Sequence, residues 1–149
     1  MNDRTIELCR ADLTLSTERA RIDVDAVLAM LHRSHWGGAV TRATLDRAIE
    51  NSLCVGVYRA ERQLAFARAV TDLATYAYLT DVIVVEDARG KGIGSWMIEA
   101  LLDHPDLQGL RQITLFTRDA QALYEKYGFT TEMPKSIYME MRPGPARSA

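Results

Sequence analysis

The sequence predicts an α/β domain with its elements in the order βααβββαβαβ. Three observations predict it. Tyr76 to Val85 is the longest β-like run of the chain. A glycine-rich turn, Arg89-Gly90-Lys91-Gly92-Ile93-Gly94, follows it and opens a helical pattern, Ser95 to Leu102. Two further β-like runs precede it, joined only by the polar link Arg59-Ala60-Glu61-Arg62, as in a hairpin. With 149 residues there is enough chain for one domain with a proper core. The 48% apolar and 26% charged content is that of a globular chain and excludes disorder.

Each element has its own local reason. Residues 4 to 10 alternate and read as a first strand. Asp23 or Asp25 can cap a helix whose Val24, Val27, Leu28 and Leu31 share one apolar face. Thr41 or Thr44 can start a second helix with Leu45, Ala48 and Ile49 turned inward. The segment between them holds Ser34-His35-Trp36-Gly37-Gly38. Leu53 to Tyr58 and Gln63 to Val70 are the hairpin strands. After the central strand and its helix, Pro105 forbids further helix. Gln112 to Thr117 then reads as a strand and Asp119 to Tyr127 as a helix closed by Gly128. Ser136 to Arg142 reads as a last strand. The domain is expected to span residues 1–142, followed by a disordered tail, 143–149.

Composition narrows the function. A net charge of -2 supplies no global basic field for nucleic acid. No apolar run approaches the roughly 20 residues that span a bilayer, and the start of the chain lacks a signal-peptide core, so a cytoplasmic protein without membrane contact is expected. Two cysteines do not make a disulfide framework; Cys9 and Cys54 sit in strand-like runs and are expected to be buried thiols. His32 and His104 lack metal-ligand spacing, so no metal is expected.

The strand, glycine turn and helix start make an anion site. Helix N-terminal N–H groups point outward, the helix dipole favours negative charge, and glycines let a ligand approach the backbone. Arg89 and Lys91 add positive charge there, and the expected ligand is a phosphate or pyrophosphate. The Walker template G-x-x-x-x-G-K-[ST] fails, because Val85 stands five before Gly90 and Gly92 follows Lys91. The dinucleotide template G-x-G-x-x-G fails at Met97, or at Ser95 in the other register.

A third template, [RQ]-x-x-G-x-[GA], is matched in full by Arg89, Gly92 and Gly94. A second segment, residues 117 to 129, matches N-x-x-A-x-x-L-Y-x-x-x-G-F at Ala120, Leu123, Tyr124, Gly128 and Phe129. Together, in this order and separation, they resemble the GCN5-related N-acetyltransferases (GNAT), over roughly residues 5 to 142. The resemblance implies the GNAT fold: a mixed, mostly antiparallel sheet with helices on both faces and splayed central strands. It also implies acetyl-CoA as co-substrate and an amine as acceptor. The motif's leading Asn, often a cofactor contact in the family, is Thr117 here, which lacks the amide's two-ended hydrogen bonding.

Carried onto this chain, the resemblance lays the pantetheine arm against the backbone of Val82, Ile83 and Val84, an amide-bearing arm joining a strand edge. It assigns the pyrophosphate to Arg89, Gly90, Lys91, Gly92, Ile93, Gly94 and Ser95, mainly through N–H donors. Lys91 as a solvated side chain and Arg89 as a salt-bridge partner are the plain alternatives. Tyr124 stands where the family often has the acid that protonates the departing thiolate; a merely packed Tyr124, with Tyr127 nearby, is the alternative. The attacking amine must be neutral, although a free alkylamine has a pKa of about 10.4, so a base is needed. Asp81 lies in the central strand three residues before Val84 and is the first candidate; Asp72 is the second. Either acid could instead cap a turn, pair with an Arg such as Arg68, or hold a cationic acceptor. His35, Trp36 and Tyr76 (with Tyr78 on the same face) are candidates for the acceptor pocket, as is Asp72.

The reading is therefore an N-acetyltransferase acting by direct attack in a ternary complex on a primary amine, a small molecule for preference. A non-catalytic acyl-CoA sensor and a protein or peptide acetyltransferase are the alternatives. Relatives commonly dimerise through their late strands, which leaves a homodimer open.

Overall fold

Strand alternation and three tight turns build the sheet. In this computed structural model, which describes residues 4–34, 38–132 and 138–144, the chain divides into two compact units, Met1–Phe116 and Thr117–Ala149. The first unit holds β1 (Glu7–Arg10), β2 (Leu13–Ser16), α1 (Val24–His32), α2 (Arg42–Glu50), β3 (Leu53–Arg59), β4 (Arg62–Thr71), β5 (Tyr76–Val84), α3 (Ile93–Leu102) and β6 (Gln112–Thr114). Its strands follow chain order across the sheet, antiparallel from β1 to β5. Only β5 and β6 run parallel, and α3 is the crossover that parallel neighbours require.

The first hairpin departs from expectation. Residues 4 to 10 are not one long strand: the chain turns at Ala11, whose φ of 52° is left-handed, and returns as β2. The alternation of Leu13 and Leu15 with Thr14 and Ser16 was the available signal. Cys9 is exposed, not buried, because β1 is an edge strand with all four residues in solvent.

Both helix starts choose between the expected caps. Asp23 accepts from the Ala26 N–H and Thr41 from the Thr44 N–H, each satisfying an orphan donor of the first turn. The inward faces of α1 and α2 bring Val27, Met30, Leu31, Leu45 and Ile49 onto Cys54, Phe66 and Ile83 of the sheet. Helix α3 packs on β3, β4 and β5. Ala65, Ala67 and Ala69, which alternate with Phe66 and Arg68 along β4, are fully buried, and their small side chains admit close packing on the other face.

The second unit carries α4 (Gln121–Glu125), shorter than the expected 119 to 127. No side chain caps its start at Ala120, and Gly128 leaves the helix region with φ 94°. Strand β6 is likewise shorter than the expected 112 to 117. Residues 138–142 of the expected last strand carry no strand; there Glu140 accepts from the Tyr138 hydroxyl and from Arg142 Nε, contacts within the segment itself. Residues 136 and 137, and 145–149 of the tail, lie outside the described residues. Among the described residues, no helix is long and apolar enough to cross a membrane.

Burial pushes the Cys54 thiol up to about 12, while Cys9 is exposed. A disulfide thiol reagent at pH 8 is therefore expected to titrate one thiol in the folded chain and both after denaturation. Labelling of Cys54 at the rate of Cys9 in native buffer would contradict this packing.

Candidate active site

The site begins with a fault in the β4–β5 ladder. Phe66 pairs with Ile83 and Arg68 with Thr80, so one residue of β4 faces two of β5. The bulge falls at Asp81-Val82, and Asp81 has φ 53°. Asp is among the few L-residues that tolerate this region, and a bulge bends its strand. On its other side β5 pairs with β6 only from Tyr76 to Tyr78. Beyond Tyr78, that edge of β5 has no strand partner among the described residues.

Direction along this edge follows from one hydrogen bond. The Val85 N–H donates to Leu64 O at 2.8 Å. By alternation, the backbone groups of Ile83 also turn to β4, while those of Val84 and Val82 face the unpaired side. There the Val84 carbonyl accepts from Arg89 Nε at 2.9 Å. Arg89 thus ties the glycine loop to the strand end and, among the described residues, makes no salt bridge.

The loop has a second anchor. Arg62 grips Asp87 with both terminal nitrogens, at 2.9 and 3.0 Å, and this hydrogen bonding holds the Asp87 carboxyl below its usual range. Ala88 and Ile93 are buried on either side of the exposed Gly90-Lys91-Gly92 segment. Gly90 and Gly92 have φ of 77° and 79°. Gly92 is the N-cap of α3 and no side chain caps that helix, so the first N–H groups of α3 are left for a ligand. Lys91 is exposed and makes no hydrogen bond or ion pair among the described residues.

The candidate acids are both engaged. Asp72 accepts from the N–H groups of Ala74, Thr75 and Tyr76 and from the Thr75 hydroxyl. It caps the β4–β5 turn, and those donors hold its carboxyl far below the ordinary range, the Thr75 hydroxyl foremost. Asp81 Oδ2 accepts from Arg68 Nε at 2.6 Å, and Arg68 Nη1 donates to Ser52 Oγ at 3.1 Å. The pair is partly exposed, at 17% for Arg68 and 14% for Asp81. Tyr76 lies on the same sheet face, with its hydroxyl on Thr114 Oγ1. Tyr78 meets Phe116 edge-on at 5.8 Å. Phe116 escaped sequence reading, since its contact with Tyr78 joins residues far apart in the chain.

In the second unit Tyr124 packs edge-on against Phe129 at 5.8 Å, and burial raises its phenol above the ordinary value. The Thr117 hydroxyl accepts from the Ala120 N–H. His35 and Trp36 lie outside the described residues. Among the described residues, no three His, Cys, Asp or Glu side chains gather as a metal site.

Residues 50–131 match the acetyltransferase (GNAT) domain family, more than half of the chain. The chain belongs to the GNAT acetyltransferase family. A Gibberella zeae protein named as an acetyltransferase is 32% identical over 140 residues, 78% of each chain. A crystal structure from Xanthomonas campestris pv. campestris, assigned to the same family, is 38% identical with a TM-score of 0.85, covering 91% of this chain and 96% of that one. A Clostridium acetobutylicum acetyltransferase solved with acetyl-CoA shares the fold at 17% identity and a TM-score of 0.59, covering 80% and 90%. As a GNAT member this chain is an acyltransferase, and GNAT acetyltransferases use acetyl-CoA. An uncapped helix start behind left-handed glycines and an unpaired strand edge fit the pyrophosphate and amides of such a molecule.

Gly92 and Gly94 of the loop respond differently to alanine. Gly92→Ala puts a side chain at φ 79° and is expected to cost about 1–2 kcal/mol. Gly94→Ala meets only Val84 Cγ2 at 3.9 Å and should leave stability unchanged. Urea unfolding of the two variants checks the contrast.

Proposed function

We propose that this GNAT member transfers the acetyl group of acetyl-CoA to a small primary amine by direct attack in a ternary complex. The observation that carries the reading is the unpaired β5 edge running straight into an uncapped helix start. Backbone groups of Val82 and Val84 would receive the amide arm, and the Gly92 to Ser95 N–H groups the pyrophosphate. Ile83 supports this edge from the core. Lys91, exposed on the loop, adds charge; Arg89 serves by fixing the loop to Val84.

The amine nitrogen attacks the thioester carbonyl carbon. The ammonium first loses a proton to become the nucleophile; then a C–N bond forms, the C–S bond breaks, and the nitrogen releases a further proton to solvent while sulfur gains one. Asp81, at the bulge, is our candidate to take the first, directly or through water. Its Oδ2 is held by Arg68, which orients the carboxylate, and Oδ1 makes no hydrogen bond among the described residues. Asp72, fully used as a turn cap, is the poorer base. Tyr124 is our candidate to give the departing sulfur its proton, by its motif position; Thr117, whose hydroxyl accepts from the Ala120 N–H, is the weaker cofactor contact. We read residues 1–142 as one working domain acting in the cytoplasm.

Tyr124→Phe tests the assignment. Amine-dependent release of CoA thiol is expected to fall about a hundredfold or more, with acetyl-CoA affinity within about twofold of wild type. Because burial raises the Tyr124 pKa, the phenol keeps its proton as pH rises, and no loss of rate from this group is expected below about pH 10. Unchanged release in the variant would remove Tyr124 from the chemistry. Absence of release with every amine, from a wild-type chain that binds acetyl-CoA, would favour a sensor.

A further inference from the structure

The α1/α2 side of the sheet is covered over only part of its area. Arg68 and Val70 alternate with Ala69 on β4 and share a face with Phe66, on which α1 and α2 pack. Their partners Thr80 and Tyr78 share that face, as does Tyr76. Thr114 is joined to it through the Tyr76 hydroxyl and Phe116 through its ring contact with Tyr78. On this face Val70 and Tyr76 are each 40% exposed and Phe116 71%. A band of aromatic and branched side chains therefore faces solvent beside the point where β5 and β6 part.

One corner of the band is charged in an unusual way. Arg68 and Asp81 hold each other through one nitrogen and one oxygen, and Ser52 holds Arg68 Nη1. Among the described residues, Arg68 Nη2 and Asp81 Oδ1 make no hydrogen bond. The pair is net neutral yet presents one cationic donor and one anionic acceptor side by side. A bare ammonium ion is attracted by Asp81 and repelled by Arg68. A phosphate dianion is attracted by Arg68 and repelled by Asp81. An ammonium and a carboxylate on one carbon answer both, since each of the two charges finds its opposite.

From this juxtaposition we infer that the acceptor is an α-amino acid with an aromatic or large apolar side chain. Its carboxylate takes Arg68 Nη2, its amine lies at Asp81 Oδ1, and its side chain lies on Tyr78, Phe116 and Val70. The inference rests on the transfer reading above for the fate of the amine, and gives it a substrate class. Arg68 is then a specificity residue as well as the one that positions Asp81.

Calorimetric binding to the full chain saturated with CoA separates the possibilities, using L-phenylalanine, phenethylamine and 3-phenylpropionate. L-Phenylalanine is expected to bind about tenfold or more tightly than either one-charge analogue. Arg68→Gln should bring it down to the level of phenethylamine. Phe116→Ala, a change at an exposed position, should remove most of the preference for L-phenylalanine over L-alanine even if Arg68→Gln fails to fold. Phenethylamine binding as tightly as L-phenylalanine, or no binding by any of the three, would overturn the inference. The readout is binding, so it stands apart from turnover. CoA release driven by phenethylamine alone would sink the amino-acid class and keep acetyl transfer. Selective binding of L-phenylalanine without thiol release would sink transfer and keep the site.

Discussion

Everything at this site depends on a backbone edge that the fold leaves unpaired. Unsatisfied strand groups are costly when buried and are a pairing hazard when exposed. Among the described residues β6 pairs with the first three residues of β5, and the rest of that edge has no strand partner, its Val84 carbonyl being held by Arg89. Two local features keep it so. The bulge at Asp81-Val82 bends β5 within its own ladder, and β6 ends at Thr114. An edge made available in this way suits an extended ligand with alternating donors and acceptors, because affinity then comes from main-chain hydrogen bonds and needs few particular side chains. In the proposed mode Val82 and Val84 can therefore be ordinary apolar residues and still serve the cofactor through their backbones.

The loop after β5 extends the same economy. Its uncapped groups are the first N–H donors of α3, and the side chains of Arg89, Arg62 and Asp87 hold the loop in shape. Arg89 reaches back to the Val84 carbonyl, and Arg62 clamps Asp87 from the β3–β4 turn. A rigid cradle loses less entropy when a polyanion arrives, so these contacts act on affinity without touching the ligand. Arg89 shows how a motif can mislead about role: its conspicuous cation sits beside an expected pyrophosphate, while its Nε is spent on a carbonyl of the preceding strand.

What the sequence made legible was local. Asp23 and Thr41 announced their helices because capping is a short-range interaction. The 3.6-residue spacing of Val27 and Leu31 announced the face that meets Phe66. The two glycine-bearing motifs announced the fold and the family through their order and separation. What stayed hidden was either a single-residue event or a long-range one. Ala11 turns with a positive φ that its type does not advertise, so β2 went unread. The bulge at Asp81 depends on register with β4, which no property of β5 alone specifies. The contact of Phe116 with Tyr78 joins residues far apart in the chain. The contraction of α4 reflects an N-terminus without a capping side chain, a signal that was present at Ala120 but outweighed by the motif.

The pairing of Arg68 with Asp81 decides how the acid can be used. An unpaired carboxylate on an otherwise apolar face would be a nonspecific trap for cations. With Arg68 on one oxygen, the site's net charge is zero, and attraction depends on orientation instead of total charge. The same arrangement fixes the carboxylate plane, because Ser52 holds the guanidinium that holds Asp81. A base held in this way removes a proton only from a nitrogen placed at its remaining oxygen. In the proposed reaction, selection of the acceptor and activation of its amine fall to one pair of side chains. Substitution of either partner should then alter which amines react as well as how fast they do so.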